Sequence, residues 1–199
     1  MKVSKAIQTR RSIEHFDPTH KMSDAEVKQL IEAAMLSPTA FNIQHWRFVW
    51  IKAQPLKEQI KAFSWNQPQI TDASLLLFVC MDFMAWQKEP ERYWRNTPQA
   101  VADAMLRNMS HYNGNYVTQR DEAIRSASMA CMTMMLKARE MGYDSCPMLG
   151  FQYDKVAELI NLPDDHGICL MLTVGKKIKG AYPRAGQLAM EEVLFSDSF

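Results

Sequence analysis

Ser126-Ala127-Ser128-Met129-Ala130-Cys131-Met132-Thr133-Met134-Met135-Leu136 places small or apolar side chains on every face of a helix. It lies inside a longer helical stretch expected over 121–141, about 30 Å at 1.5 Å per residue, with Gly142 as its stop. A helix with no polar face is expected to be buried all round. One layer of a small chain rarely hides a helix so fully, so the stretch points to a subunit interface. Outward from it, the Leu-, Ile-, Val- and Phe-rich runs at 74–81 and 168–174 read as strands buried on both faces, and 47–52 as a further strand. Ser23-Asp24-Ala25-Glu26 is a capping box opening a helix whose apolar stripe is Val27, Leu30, Ile31, Ala34 and Met35, stopped by Ser37-Pro38. Shorter helices are expected over 4–10, 55–63 and 153–160, and a turn over 164–167. Helices with a few scattered strands give the α+β class, read as one domain over 1–199 with a partly helical excursion at 83–119. In that excursion Trp86, Tyr93, Trp94, His111, Tyr112 and Tyr116 are interleaved with charges.

The chain has 199 residues, 47% of them apolar, enough to bury a core without disulfides or a structural metal. Lys and Arg number 23 against 22 Asp and Glu, so no field favours nucleic acid or an anionic membrane surface, and neither is expected as a partner. The longest apolar run, 75–81, falls far short of the roughly 20 residues that span a bilayer. With a polar start over 1–8, a cytoplasmic location is expected. Cys80, Cys131 and Cys169 read as reduced core residues, and Cys146 stands beside Pro147. The seven glycines form neither a Rossmann fingerprint nor a P-loop, H-E-x-x-H and G-x-S-x-G are missing, and the five histidines lack metal-ligand spacing.

Three short segments carry residues suited to ligand chemistry. Thr9-Arg10-Arg11-Ser12-Ile13-Glu14-His15-Phe16 ends the first helix with two guanidinium groups and a hydroxyl, donors that match phosphate oxygens; alone it also reads as a solvated basic helix end. Ser37-Pro38-Thr39-Ala40-Phe41-Asn42-Ile43-Gln44-His45-Trp46 links a helix to a strand, where ligands are often held, though a plain connector looks the same. Cys146-Pro147-Met148-Leu149-Gly150 reads as a turn in which Gly150 lets backbone approach a flat ligand.

In this order the three segments resemble the FMN-dependent nitroreductase family, with its R-R-S opening, its S-P-S-x-x-N-x-Q-P-W loop and its P-x-x-G turn. Asn66-Gln67-Pro68-Gln69-Ile70-Thr71-Asp72-Ala73-Ser74 is similar to the family segment under the flavin, and Tyr182-Pro183-Arg184 to its late phosphate-binding arginine. The resemblance spans 3–193. It implies an α+β sandwich with a central antiparallel-type sheet flanked by helices, an interlocked homodimer, and one FMN per subunit at the interface. By motif, Arg10, Ser12 and Arg184 would hold the phosphate, with Arg11 beside them. Asn66 and Gln69 would face the pyrimidine edge, and Pro38, Thr39, Ala40 and Asn42 would come from the partner subunit. The turn Pro147, Met148, Leu149 and Gly150 would aim the N–H groups of Leu149 and Gly150 at flavin N5 and O4.

The same resemblance implies hydride transfer from a transient NAD(P)H through FMN to nitroaromatic, quinone or similar flat acceptors, in ping-pong order. No side chain is then needed as acid, base or nucleophile, since the chemistry is carried at flavin N5. The excursion at 83–119 would cover the flavin face and select the acceptor, although packing at the subunit interface explains its aromatics equally well. Departures are Gln69, Glu14 and Tyr182 where common members have Lys or Arg, His45 for the Pro of Q-P-W, and Leu149 where some have Glu. Less positive charge near the flavin is expected to lower its potential. The competing class is a non-catalytic flavin- or metabolite-binding dimer, since likeness to a family does not establish turnover.

Overall fold

The computed structural model describes residues 1–199. Trp46–Ile51 (β1), Leu75–Asp82 (β2), Asp144–Met148 (β3) and His166–Gly175 (β4) form one antiparallel sheet in the order β1-β2-β4-β3. Around it lie Val3–Thr9 (α1), Asp24–Ala34 (α2), Gln54–Ala62 (α3), Gln69–Asp72 (α4), Gln99–Met109 (α5), Tyr116–Glu140 (α6) and Tyr153–Leu159 (α7). β2 is buried along its whole length because alternate side chains enter two cores. Leu75, Leu77, Val79 and Met81 pack with α2 and α6, while Leu76, Phe78 and Cys80 meet Ile60 of α3, Ile70 of α4 and Val156 of α7. The result is the expected α+β sandwich with helices on both faces of a central antiparallel sheet.

The Ser23 capping box is complete. Ser23 Oγ accepts the Glu26 N–H at 3.2 Å, and the Ser23 N–H donates to Glu26 Oε2 at 2.8 Å. Tyr143 Oη donates to the other carboxylate oxygen at 2.7 Å, tying the start of α2 to the chain leaving α6. That hydrogen bond, with those from Ser23, holds the Glu26 carboxyl down at about 2.

Four sequence expectations change. α6 begins at Tyr116 rather than 121, because Asn115 caps it with Oδ1 accepting the Thr118 N–H at 3.1 Å. Burial of this helix on every face is not met within one chain. Ala123, Ala127, Ala130, Met134 and Ala138 let it lie close to the sheet and α2, but Val117, Ile124, Ser128, Met129 and Met132 form an open, mostly apolar face. The segment around Pro147 is the end of a strand rather than a turn. β3 is an edge strand, and Pro147, which has no N–H to donate, is tolerated there. Cys169 is only half-buried, at a bulge in β4 where its Sγ lies 3.6 Å from Ser128 Oγ of α6, so it is not a core thiol like Cys80, Cys131 and Cys146.

Residues 83–119 contain α5 and single 3-10 turns at Ala85–Gln87, Pro90–Tyr93 and Ser110–Tyr112. A small satellite core of Ile43, Ala85, Met109 and Tyr112 fastens this excursion to the loop that precedes β1. Beyond β4 the chain runs as an exposed arm with one 3-10 turn, Met190–Glu192. No helix is long and apolar enough to cross a membrane.

Candidate functional site

The first strip of the site lies along the outer edge of β3. Arg10 leaves α1 in an extended conformation, Ser12 bridges Ser145 in parallel, and the Ile13 N–H donates to the Ser145 carbonyl at 3.1 Å. The C-terminal arm returns to the same place, where Ile178 N–H donates to the His15 carbonyl at 3.0 Å. Arg184 Nη2 donates to the carbonyls of Gln8 at 3.0 Å and Arg10 at 3.3 Å, and Arg11 Nη2 donates to the Tyr182 carbonyl. Arg10, Arg11 and Arg184 thus converge, and none is ion-paired with a carboxylate. Guanidinium groups without a carboxylate partner suit an oxygen-rich anion such as a phosphate. Ser12 is exposed beside them, while the buried Ser145 Oγ has no hydrogen-bond partner. Burial pushes the Cys146 thiol up to about 11, with Glu14 raising and Arg10 lowering it, so both charges lie near that thiol.

The second strip is the end of β3. Met148 is buried and Pro147 half-buried, whereas Leu149 is 74% exposed. No protein acceptor takes the N–H of Leu149 or Gly150. Gln67 Nε2 donates to the Gly150 carbonyl at 3.0 Å, and Gln69 Nε2 donates to Gln67 Oε1 at 3.1 Å. Gln69, in α4, is buried, so this amide points at Gln67 and not at solvent. Trp65 and the exposed Asn66 are both left-handed, at φ 52° and 55°, an unusual pairing without glycine. A Cβ at Gly150 would stand 3.1 Å from the Trp65 ring and 3.2 Å from Gln67 Nε2, so a side chain there would have to push one of them aside. The structure therefore joins 66–69 to 147–150, and adds Trp65 and Gln67, which no spacing in the sequence singled out.

The third segment is elsewhere. Thr39 Oγ1 accepts the Gln44 N–H at 3.1 Å, Asn42 Nδ2 donates to the Tyr93 carbonyl at 2.8 Å, and Phe41, Asn42 and Gln44 are left-handed. Pro38 and Asn42 are exposed, Thr39 and Ala40 half-buried. This loop opens β1, at the far edge of the sheet from β3, about 14 Å away for three strand spacings. Within one chain the expected site residues thus fall into two separated groups: Arg10 to Ser12, Arg184, Asn66 to Gln69 and Pro147 to Gly150 in one, and Pro38 to Asn42 in the other.

His45 closes that loop, fully buried, with Nδ1 3.3 Å from Ser126 Oγ and no partner for Nε2. Burial lowers its pKa from 6.5 to about 4, although Asp82 acts the other way. The unfolded chain takes up this proton below 6.5 and the native chain does not, so stability present above pH 6.5 is lost as pH falls toward 4. At about 1.4 kcal/mol per pKa unit the whole interval is worth roughly 3 kcal/mol. Urea midpoints measured between pH 6.5 and 4.5 should fall with acidity in the native sequence and stay flat in His45→Gln. An identical slope in the variant would assign the loss to other groups.

The residues that could hold an anion and a flat ring are therefore present, with unpaired donors and a glycine cradle. A model of the Nitroreductase family matches residues 7–176. Protein DrgA of Synechocystis is 50% identical over 177 residues, covering 88% of this chain and 84% of that protein. A Bacillus subtilis protein named "Putative NAD(P)H nitroreductase MhqN" is 31% identical over 194 residues, 94% of each chain. A solved structure from Exiguobacterium sibiricum, described as a putative nitroreductase in complex with FMN, superposes with a TM-score of 0.91 at 26% identity, over 99% of this chain and 98% of that one.

Proposed function

Because this chain belongs to the nitroreductase family, we propose that it is a homodimeric FMN-dependent oxidoreductase using NAD(P)H to reduce nitroaromatic, quinone or similar flat acceptors. The observation that carries this reading is the pair of unclaimed N–H groups at Leu149 and Gly150, just past the strand whose other end pairs with Ser12 and Ile13, the residues that follow Arg10 and Arg11. FMN, when bound, supplies an atom that takes hydride from the nicotinamide and yields it to the acceptor. The arginines and Ser12 hold its phosphate. Leu149 and Gly150 offer preorganised donors, which need no rearrangement when charge develops nearby. Gln69 acts through Gln67, keeping the Gly150 peptide in place, and Asn66 presents its amide at the ring edge. The exposed Trp65 walls the cradle.

A second copy supplies what one chain lacks. The open face of α6, with Ile124, Met129 and Met132, is more apolar than a solitary surface helix sustains, and it continues the role expected of a subunit interface. The arm beyond β4 exposes Leu188, Met190, Val193, Leu194 and Phe195 alongside Glu191, Glu192 and Asp197. A groove of about 670 Å³ beside the free edge of β1, with Trp46, Phe48, Trp50, Arg92 and Arg95 in its wall, matches it in apolarity and opposite charge. The arm of one subunit lies in the groove of the other, and each subunit's Pro38 to Asn42 loop completes its partner's site.

The purified protein is expected to be yellow and to bleach on addition of NADH or NADPH, with FMN released on denaturation. A colourless protein that takes up no FMN, or one that releases FAD, overturns the reading. Initial rates at several acceptor concentrations should give parallel double-reciprocal lines, because nicotinamide and acceptor use the same space in turn. Intersecting lines would require both to be bound at once.

A further inference from the structure

Asp82 ends β2 with a side chain only 2% exposed, a burial that a carboxylate tolerates when its oxygens are fully engaged. It accepts from Arg47 Nη2 at 2.8 Å, Lys88 Nζ at 2.9 Å and the Met84 N–H at 3.0 Å, and its own N–H donates to the His45 carbonyl at 2.8 Å. Arg47 Nη1 continues to the carbonyls of Gln44 at 2.9 Å and Trp46 at 2.8 Å. Lys88 continues to Asp165 at 2.6 Å, which is bonded to His166 Nδ1 at 2.6 Å. Asp82, Asp165 and His166 bring ligand atoms within 4.8 Å of one another, but the Lys88 ammonium binds both carboxylates and already supplies the cation a metal would provide.

Two parts of the proposed flavin site hang on this one residue, through its carboxylate and its backbone N–H. Arg47 and the His45 carbonyl tie down the loop from Ser37 to His45, while Met84 and Lys88 tie down the root of the excursion. The loop is left-handed at Phe41, Asn42 and Gln44, so it keeps its shape only while held. We propose that Asp82 is a positioning residue that sets, through Arg47, the loop lent to the partner's FMN and, through Lys88, the excursion that selects the acceptor. This rests on the flavin reading above.

The two arms are separable. The side chains of Arg47 and Lys88 are 36% and 38% exposed, so replacing either leaves water a way to the vacated side of Asp82. In the full-length FMN-loaded protein, Arg47→Gln should raise the FMN Kd about tenfold while the KM for a small quinone moves less than twofold. Lys88→Gln should do the reverse, raising the quinone KM about fivefold or more with the FMN Kd held within twofold, and Asp82→Asn should move both. The Arg47 and Lys88 variants keep the test open if Asp82→Asn does not fold. Equal falls in Tm with no division between Kd and KM would reduce Asp82 to a structural ion cluster and overturn the proposal. A wild-type chain that binds no FMN removes the flavin reading and this proposal together. A yellow wild type whose variants shift neither constant removes this proposal alone.

Discussion

Met132→Glu is expected to leave a folded monomer that has lost its FMN, whereas Met135→Glu should not fold at all. The two methionines are three residues apart on α6 but differ in burial. Met135 is buried in the chain's own core with Ala127, Met134 and Leu172, while Met132 is 37% exposed on the open face. A charge at 135 must enter this largely apolar core, a penalty of several kcal/mol against a total stability of about 5 to 15. A charge at 132 is harmless in the monomer. In a two-fold interface it appears on both subunits at once, and two carboxylates brought together and dried weaken association by several kcal/mol, roughly a thousandfold or more in Kd. On the proposed assembly FMN should go with the dimer, because the Pro38 to Asn42 loop lies at the opposite edge of the sheet from Arg10 and Gly150 and would reach a flavin only across the interface. Sedimentation velocity, with flavin absorbance measured per chain, checks both. A Met132→Glu monomer that still saturates with FMN would show that one chain builds the whole site.

How much of this was legible before the structure depended on how local each signal is. The capping box at Ser23, the apolar run that became β2 and the stripe of α2 are decided by neighbours a few residues away, and they stand within a residue or two of where the sequence places them. β3 was not legible. A five-residue strand with a proline in it reads as a turn, and only its position at the sheet edge, a property of the whole fold, explains how Pro147 is accommodated. The α6 reading was wrong about burial within one chain. Ser126, Ala127, Ala130 and Met134 do enter the core, but Ser128, Met129 and Met132 stay exposed. A composition without charge cannot tell burial in one's own core from a surface reserved for another copy.

Arg10 and Arg11 could be proposed from guanidinium chemistry and Arg184 from the resemblance of its Tyr-Pro-Arg motif. Their convergence was not legible, since Arg184 reaches the Gln8 and Arg10 carbonyls across more than 170 residues of chain. Gln67 and Trp65 escaped notice for the opposite reason. They matter through contact with Gly150, a relation fixed by the left-handed backbone at Trp65 and Asn66 rather than by any pattern of residue types.

Arg184→Ala should raise the FMN Kd by roughly 10- to 150-fold, the equivalent of about 1.5 to 3 kcal/mol for a charge-assisted hydrogen bond, while Tm scarcely moves. The side chain is exposed and its protein contacts are two surface carbonyls, Gln8 and Arg10, so the fold loses little when it goes. What goes is a positive charge with no carboxylate of its own, held against the Arg10 backbone. Arg184→Lys should recover only part of the affinity, because an ammonium keeps the charge but not the planar fork. Arg10→Ala should act in the same direction, and the double substitution should fall short of the sum, since Arg184 also grips the Arg10 carbonyl. Riboflavin separates phosphate recognition from general weakening of the pocket. It has the ring and no phosphate, so its Kd should be the same for wild type and Arg184→Ala, while the FMN Kd differs and narrows its gap as salt is added. Equal losses for riboflavin and FMN would mean that Arg184 shapes the ring pocket instead, and that the phosphate is held by other groups.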